Sequence, residues 1–196
     1  MTKNKEEAKI TNIPTVQTKE PENVPPIKEV ELNLADPPMK AKGLRLNIGC
    51  GDDYKEGFIN IDPFEKVADA PWFANSIPLK DKCAGQIIAY EVLEHIGYHQ
   101  VPEAIKEWHR LLVPRGTLHI VVPDVVELAK KIIDDPENEW NMAIMYGSQW
   151  HEGQYHKSGY TPKKLFKLFG YAGFRQIGMA KFTYGDTPSI YVEAEK

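Results

Sequence analysis

From Leu44 onward, short and nearly continuous apolar runs alternate with segments of helical periodicity, and few folds accommodate that order. Leu44, Leu46 and Ile48 alternate before Gly49-Cys50-Gly51 breaks the run, as a strand entering a glycine loop does. Phe58-Ile59-Asn60-Ile61 is a second short strand ending at Asp62-Pro63, residues 86–90 a third and 117–122 a fourth. Strands this apolar belong to a sheet covered on both faces. Within 102–112, Ile105, Trp108, Leu111 and Leu112 recur at helical spacing, and Pro114-Arg115-Gly116 then turns the chain. Asp124, with Glu127 three residues on, caps a helix through Ile133. A further helix is expected over 139–146. Thr161-Pro162 opens one that buries Leu165, Phe166 and Phe169 and ends at Gly170 and Gly173. Residues 174–181 and 189–194 read as an antiparallel hairpin at the sheet edge, turning at Tyr184-Gly185-Asp186. The order predicts an open, doubly wound α/β sheet, mostly parallel, with ligands at the carboxyl ends of its strands.

Residues 1–43 differ from the rest. They hold six of the fifteen prolines and no aromatic residue; the first is Tyr54. Such a segment buries too little apolar surface to offset its ordering entropy. A flexible proline-rich arm, partly disordered, is expected over 1–43, with one domain over 44–196. A short helix or strand near Val30–Leu34 would lie against that domain. The arm is a candidate docking segment for a partner or for a second copy in a homodimer.

Composition excludes several classes. With 42% hydrophobic residues the chain can build a core, and 24 Lys+Arg against 28 Asp+Glu give a net charge of −4, no electrostatic pull toward nucleic acid. Two cysteines, Cys50 and Cys83, read as free thiols in a reducing compartment. No apolar run approaches the roughly 18 residues of a membrane span, and no secretory signal is visible. The expected setting is cytoplasmic.

The glycine loop lets a ligand approach the backbone closely, and Asp62 at the end of the second strand suits a ribose hydroxyl pair. The loop runs Gly49-Cys50-Gly51-Asp52-Asp53-Tyr54, without a third glycine. Asp52 and Asp53 would repel a pyrophosphate, and no phosphate-binding GxxxxGK[ST] occurs. A cationic adenosine-type ligand fits better.

At these residues the sequence resembles the class I S-adenosylmethionine (SAM)-dependent methyltransferases, which have a Rossmann-like fold. Leu46-Asn47-Ile48-Gly49-Cys50-Gly51 is similar to their first motif and Ile59-Asn60-Ile61-Asp62 to their second strand with its ribose-binding acid. Tyr90-Glu91-Val92-Leu93-Glu94-His95-Ile96 is similar to their fourth-strand motif, and residues 108–118 to the helix and turn before their fifth strand. The short link from Gly51 to Phe58, Gly147-Ser148-Gln149, and His156 ahead of the last helix resemble short methyltransferases predicted to act in surface-polysaccharide biosynthesis. The resemblance implies SAM as cofactor, bound by Asn47, Gly49, Cys50, Gly51, Asp62 and Glu91. Two departures stand out. Asn47 occupies the place of a common acid, and the adenine-binding acid near the third strand is missing, leaving Asn75 or the Ile77 backbone as substitutes.

A hydroxyl acceptor needs a proton acceptor near the strand ends. His156 and then His95 are the catalytic candidates, since an unperturbed imidazole titrates at about 6.5. Asp124 reads as an N-cap, His151 as an exposed loop residue, and His99, His109 and His119 as structural. His151, Glu152 and His156 form a loose constellation, and without CxxC or HExxH spacing no metal is expected. The aromatic insert 140–160 reads as a lid with some acceptor contacts, and Lys157, Lys163, Lys164 and Lys167 as a basic patch. The expected reaction is methyl transfer from SAM to a small-molecule or glycan-precursor acceptor. The alternatives are a SAM-binding module without turnover and a nucleic-acid or protein methyltransferase. The absence of a [DN]PP[YF] tetrapeptide and of a basic footprint argues against nucleic acid.

Overall fold

The computed structural model describes residues 27–29 and 37–196; the segment expected near 30–34 lies outside them. Among the described residues seven strands run in chain order: β1 (Lys28–Glu29), β2 (Leu44–Ile48), β3 (Ile59–Ile61), β4 (Ala84–Tyr90), β5 (Leu112–Pro123), β6 (Arg175–Tyr184) and β7 (Thr187–Glu195). Four helices join them: α1 (Val101–Leu111), α2 (Val125–Asp134), α3 (Glu139–Tyr146) and α4 (Pro162–Ala172). Two short 3₁₀ turns, Leu93–His95 and Glu152–Gln154, complete the set.

Among the described residues the sheet order is β1-β6-β7-β5-β4-β2-β3. β3, β2, β4 and β5 are parallel, and the β6–β7 hairpin joins antiparallel to β5. This is the mixed, mostly parallel Rossmann-like sheet the sequence predicts. The hairpin is not quite the edge: two residues of β1 pair in parallel with Ala180 and Lys181 of β6. Beyond β3, where a further strand would lie, the described residues hold a single bridge, from Ile61 to Ala70. The chain there passes too quickly into Pro71-Trp72 to build a ladder.

The local causes of these elements are direct. Asp124 accepts from the amides of Val126 and Glu127 and starts α2, and Thr161 accepts from the Lys164 amide and starts α4. Gly173, at φ +99°, ends α4 where the sequence stop was expected; Gly170 stays within the helix. β5 begins five residues earlier than expected, and Pro114-Arg115-Gly116 lies inside it. Lys196 makes this tolerable: its amide donates to the Gly116 carbonyl, and its carbonyl accepts from the Arg115 amide.

Apolar burial then welds sheet to helices. β4 is buried along nearly its whole length, as are residues 116–123 of β5. α1 packs against α4 and α2 against α3. Trp108, Leu111 and Phe169 are fully buried with Leu46, Ile87 and Ile120 in one core. No helix among the described residues is long and apolar enough to cross a membrane.

Candidate functional site

A cavity of about 600 Å³ opens at the carboxyl ends of β2, β3 and β4. Its floor is the glycine loop. Gly49 and Gly51 both have positive φ, +64° and +54°. A Cβ on Gly49 would come within 2.5 Å of Val92 Cγ2, so glycine is required there on two counts. The amides of Gly49 and Cys50 both donate to the Ile61 carbonyl, tying the loop to β3.

Asp62 closes this loop as well as facing the cavity. Its Oδ2 accepts from the Gly51 amide at 3.1 Å, and its Oδ1 accepts from the Phe64 and Glu65 amides at 2.8 and 3.1 Å. Below it, Asn47 Nδ2 donates to the Asp53 carbonyl and to Asn60 Oδ1. Asn60 in turn donates to Asp69 and accepts from the Lys55 amide. Residues 50–58 are thereby fastened without the helix that a longer link would form.

One wall is Trp72-Phe73-Ala74-Asn75. α1 holds it by side chains. Trp108 Nε1 donates to the Ala74 carbonyl at 2.8 Å, and Arg110 donates to the carbonyls of Ile77 and Leu79. Glu107 accepts from the Ile77 amide. The opposite wall follows β4: Glu91, Val92, His95, Ile96 and, beyond the 3₁₀ turn, Gln100. Glu91 has φ +53°, rare for a residue with a Cβ, and its amide is pinned to the Val121 carbonyl.

The roof comes from the insert before α4. His151, Glu152, Gly153, Gln154 and Lys157 line the cavity. His151 rests on Phe64 with ring centroids 5.2 Å apart. The later leg of the insert is bonded to the 3₁₀ turn: the amides of Lys157 and Ser158 donate to the Glu94 carbonyl, and Tyr160 Oη donates to the Leu93 carbonyl. That register sets His156 against His95, ring centroids 4.8 Å apart and nearly perpendicular.

The titratable groups here are strongly perturbed. Burial raises the carboxyls of Glu91 and Glu94; the neighbouring Glu91 raises Glu94 further, while a hydrogen bond from the Glu94 carboxyl partly offsets the rise at Glu91. Burial, then the neighbouring His156, lowers His95 to about 4, and burial lowers His156 as well. His95 Nδ1 lies 3.2 Å from the Tyr155 carbonyl, so it carries the proton and leaves Nε2 with a free lone pair. Burial and then the charge of Asp62 push the Cys50 thiol up to about 11, which leaves it inert.

The structure brings together Gly49, Gly51, Asp62, Asn75, Glu91 and His95 around one cavity. Asn47, Cys50, Ile77 and His156 lie outside its lining. Asn47 is consumed by the loop network, Cys50 is buried, and both polar backbone atoms of Ile77 are taken by α1. His156 opens on a neighbouring cavity of about 330 Å³ beside Tyr146 and Tyr160. His151, read from sequence as an exposed loop residue, is in the main cavity. Asp124 is the N-cap expected, and its second oxygen pairs with Lys181 at 3.0 Å. The insert's aromatic side chains are not in the cleft: Trp140, Trp150 and Tyr155 are exposed. The Lys patch is divided, Lys157 in the main cavity and Lys163, Lys164 and Lys167 around a separate hollow. Sequence reasoning missed Phe64, Trp72, Phe73 and Gln100, which carry no motif.

Residues 66–120 match the model of a methyltransferase domain family. No curated protein matches the chain. Among solved structures, the chain is similar to a SAM-dependent methyltransferase from Archaeoglobus fulgidus, with TM-score 0.58 and 16% identity over 81% of this chain and 88% of that one. A SAM-dependent methyltransferase from Thermotoga maritima gives TM-score 0.57 and 17% identity over 80% and 83%. A phosphoethanolamine N-methyltransferase from Haemonchus contortus, solved with S-adenosylhomocysteine, gives 0.51 and 11% over 81% and 50%. The fold is thus the one that these SAM-dependent methyltransferases share, and residues 66–120 carry the match to a methyltransferase domain.

Proposed function

We propose that this chain transfers the methyl group of SAM to a small-molecule or glycan-precursor acceptor, and that the cavity described above holds both reactants. The observation that carries this reading is the juxtaposition, at the carboxyl ends of β2, β3 and β4, of the Gly49–Gly51 loop, the Asp62 carboxylate and the buried Glu91 carboxyl, whose Oε1 has no hydrogen-bond partner. SAM, when bound, supplies an electrophilic methyl on a sulfonium. Gly49 and Gly51 let the backbone lie against the ligand, Asp62 takes the ribose diol, and Asn75 with Trp72 and Phe73 borders the adenine. Glu91 offers a carboxyl to the cationic end. The acceptor then lies between the β4 wall and the roof, near His95, Gln100, Gln154 and Lys157, a polar lining suited to a hydroxylated molecule. The surface-polysaccharide setting belongs to the same proposal and rests on the Gly147-Ser148-Gln149 and His156 segments. So does partner docking or dimerisation through the arm.

His95 orients rather than deprotonates. A base works best with a pKa near the working pH, and burial leaves Nε2 of His95 a weak proton acceptor. Positioning is the larger resource, worth up to about 7–11 kcal/mol in such displacements.

Calorimetric titration of the full chain with SAM and S-adenosylhomocysteine tests this. Saturable binding is expected, weakened at least about tenfold, or about 1.4 kcal/mol, by Asp62→Asn. That substitution keeps an oxygen for the backbone amides and removes the charge. No binding at millimolar ligand sinks the enzyme reading for this chain.

A further inference from the structure

We propose that Glu94, His95 and His156 form a binding site for one divalent transition-metal ion, opening on the cofactor cavity through His95. Their ligating atoms lie within 4.8 Å of one another, although His95 and His156 stand 61 positions apart in the sequence. Both oxygens of Glu94 are buried and meet no group beyond the neighbouring Glu91 carboxyl, and the residue is 1% exposed. A carboxyl this deep stays neutral unless its charge is paired or coordinates a metal. No lysine or arginine pairs with Glu94 among the described residues. What faces it is a second carboxyl, Glu91, and two imidazoles. Two carboxyls that otherwise share a proton converge with two imidazoles whose other nitrogens are engaged on the backbone, and a cation in place of that proton satisfies all four groups.

The imidazoles are already oriented for the task. A metal-ligating histidine usually anchors its other nitrogen on a carbonyl or carboxylate. His95 does this with the Tyr155 carbonyl, and His156 has a backbone hydrogen bond at Ile144. Bonds of about 2.0–2.2 Å require the ligand atoms to close by roughly an ångström, within reach of side-chain rotation. Two nitrogens and one carboxylate select zinc, cobalt, manganese or iron over magnesium or calcium. Three protein ligands leave a coordination position open toward the cavity, with Glu91 beside it.

The consequence for catalysis rests on the methyl transfer proposed above. An acceptor hydroxyl on the ion is acidified and gives its proton to Glu91 or water. Its oxygen lone pair forms the new bond to carbon while the methyl–sulfur bond breaks toward sulfur. This supplies the deprotonation that His95 alone performs poorly.

The test uses the full chain after chelator treatment, titrated with Co²⁺ and followed by visible absorption, then by competition with Zn²⁺. One equivalent of cobalt with a tetrahedral or five-coordinate spectrum is expected. Glu94→Gln and His156→Ala should each weaken binding at least about tenfold, and His99→Ala should leave it unchanged. Mg²⁺ should not compete. If Glu94→Gln fails to fold, His156→Ala, which alters a half-buried ring, decides alone. Absence of saturable cobalt binding at millimolar concentration overturns the proposal, as does binding that survives His156→Ala. SAM affinity measured on the chelated chain is a separate readout. Cobalt binding without SAM binding would keep the metal site and remove the function; the reverse would do the opposite.

Discussion

Asn47 shows how one atom decides a residue's role. The resemblance places an acid there, yet the side chain faces two carbonyl-type oxygens, those of Asp53 and Asn60, and donates to both. A carboxylate of the same shape would set three acceptors together in a site only 5% exposed. Asn47→Asp is therefore expected to destabilise the protein by about 1–3 kcal/mol and to weaken SAM binding as the loop loosens. Thermal unfolding and calorimetry on the same variant check both halves; unchanged stability with tighter SAM binding would show that an acid belongs at this position. Asp62 has a similar double duty, so Asp62→Ala would confound loop collapse with loss of the ribose contact.

At the scale of the element, α1 does more than cover the sheet. Its buried face carries Ile105, Trp108 and Leu111, while Glu107, Trp108 and Arg110 reach across to the segment 74–79. That segment has no strand to hold it, since the sheet ends at β3 with one bridge at Ala70. Three side chains replace a ladder. Arg110→Ala removes donors from two carbonyls and a partly buried partner from Glu107. We expect SAM affinity to fall about five- to tenfold, with a loss of about 1–2 kcal/mol in stability. Hydrogen exchange at Ile77 and Leu79 reports the cause directly: faster exchange there, with β4 unchanged, is the expected pattern. Equal SAM affinity in the variant would show that the segment does not border the ligand.

For the whole molecule, the described contacts place the site and its supports between residues 44 and 196, with Pro37 reaching back to accept from Gln86 Nε2 at 2.6 Å. The arm expected over 1–43 is therefore not separable as a whole, since Lys28 and Glu29 join the sheet and Pro37 bonds to Gln86; we propose that the part before Ile27 is separable from the fold and serves docking. A chain starting at Ile27 should keep its SAM affinity and unfold within about 2 °C of the full chain, less than a change of 1 kcal/mol usually produces at this size. A larger drop would show that residues before Ile27 belong to the folded unit.

Sequence alone determined what is local or periodic. The strand–loop–strand from Leu44 to Asp62, the caps at Asp124 and Thr161 and the hairpin turn at Gly185 depend on neighbours a few residues away, so their patterns are legible in one dimension. The sheet, too, followed from the alternation of apolar strands with amphipathic helices. The roles of Asn47, Cys50 and Ile77 were not legible, because each depends on partners that α1, β3 or a loop brings from elsewhere. The insert reads as a lid in sequence and forms the roof, but which of its residues face the cavity was not legible for a related reason: aromatic composition says nothing about facing, and His151, Gln154 and Lys157 line the cavity while Trp150 is exposed. The convergence of Glu94 and His95 with His156 is the clearest case. A spacing rule searches one segment, whereas this cluster is made by the backbone bonds from Lys157 and Ser158 to Glu94, which fix the insert's register on the 3₁₀ turn. Only folding brings those atoms within reach, and only the depth of the burial turns a carboxyl and two imidazoles into a site that calls for a cation.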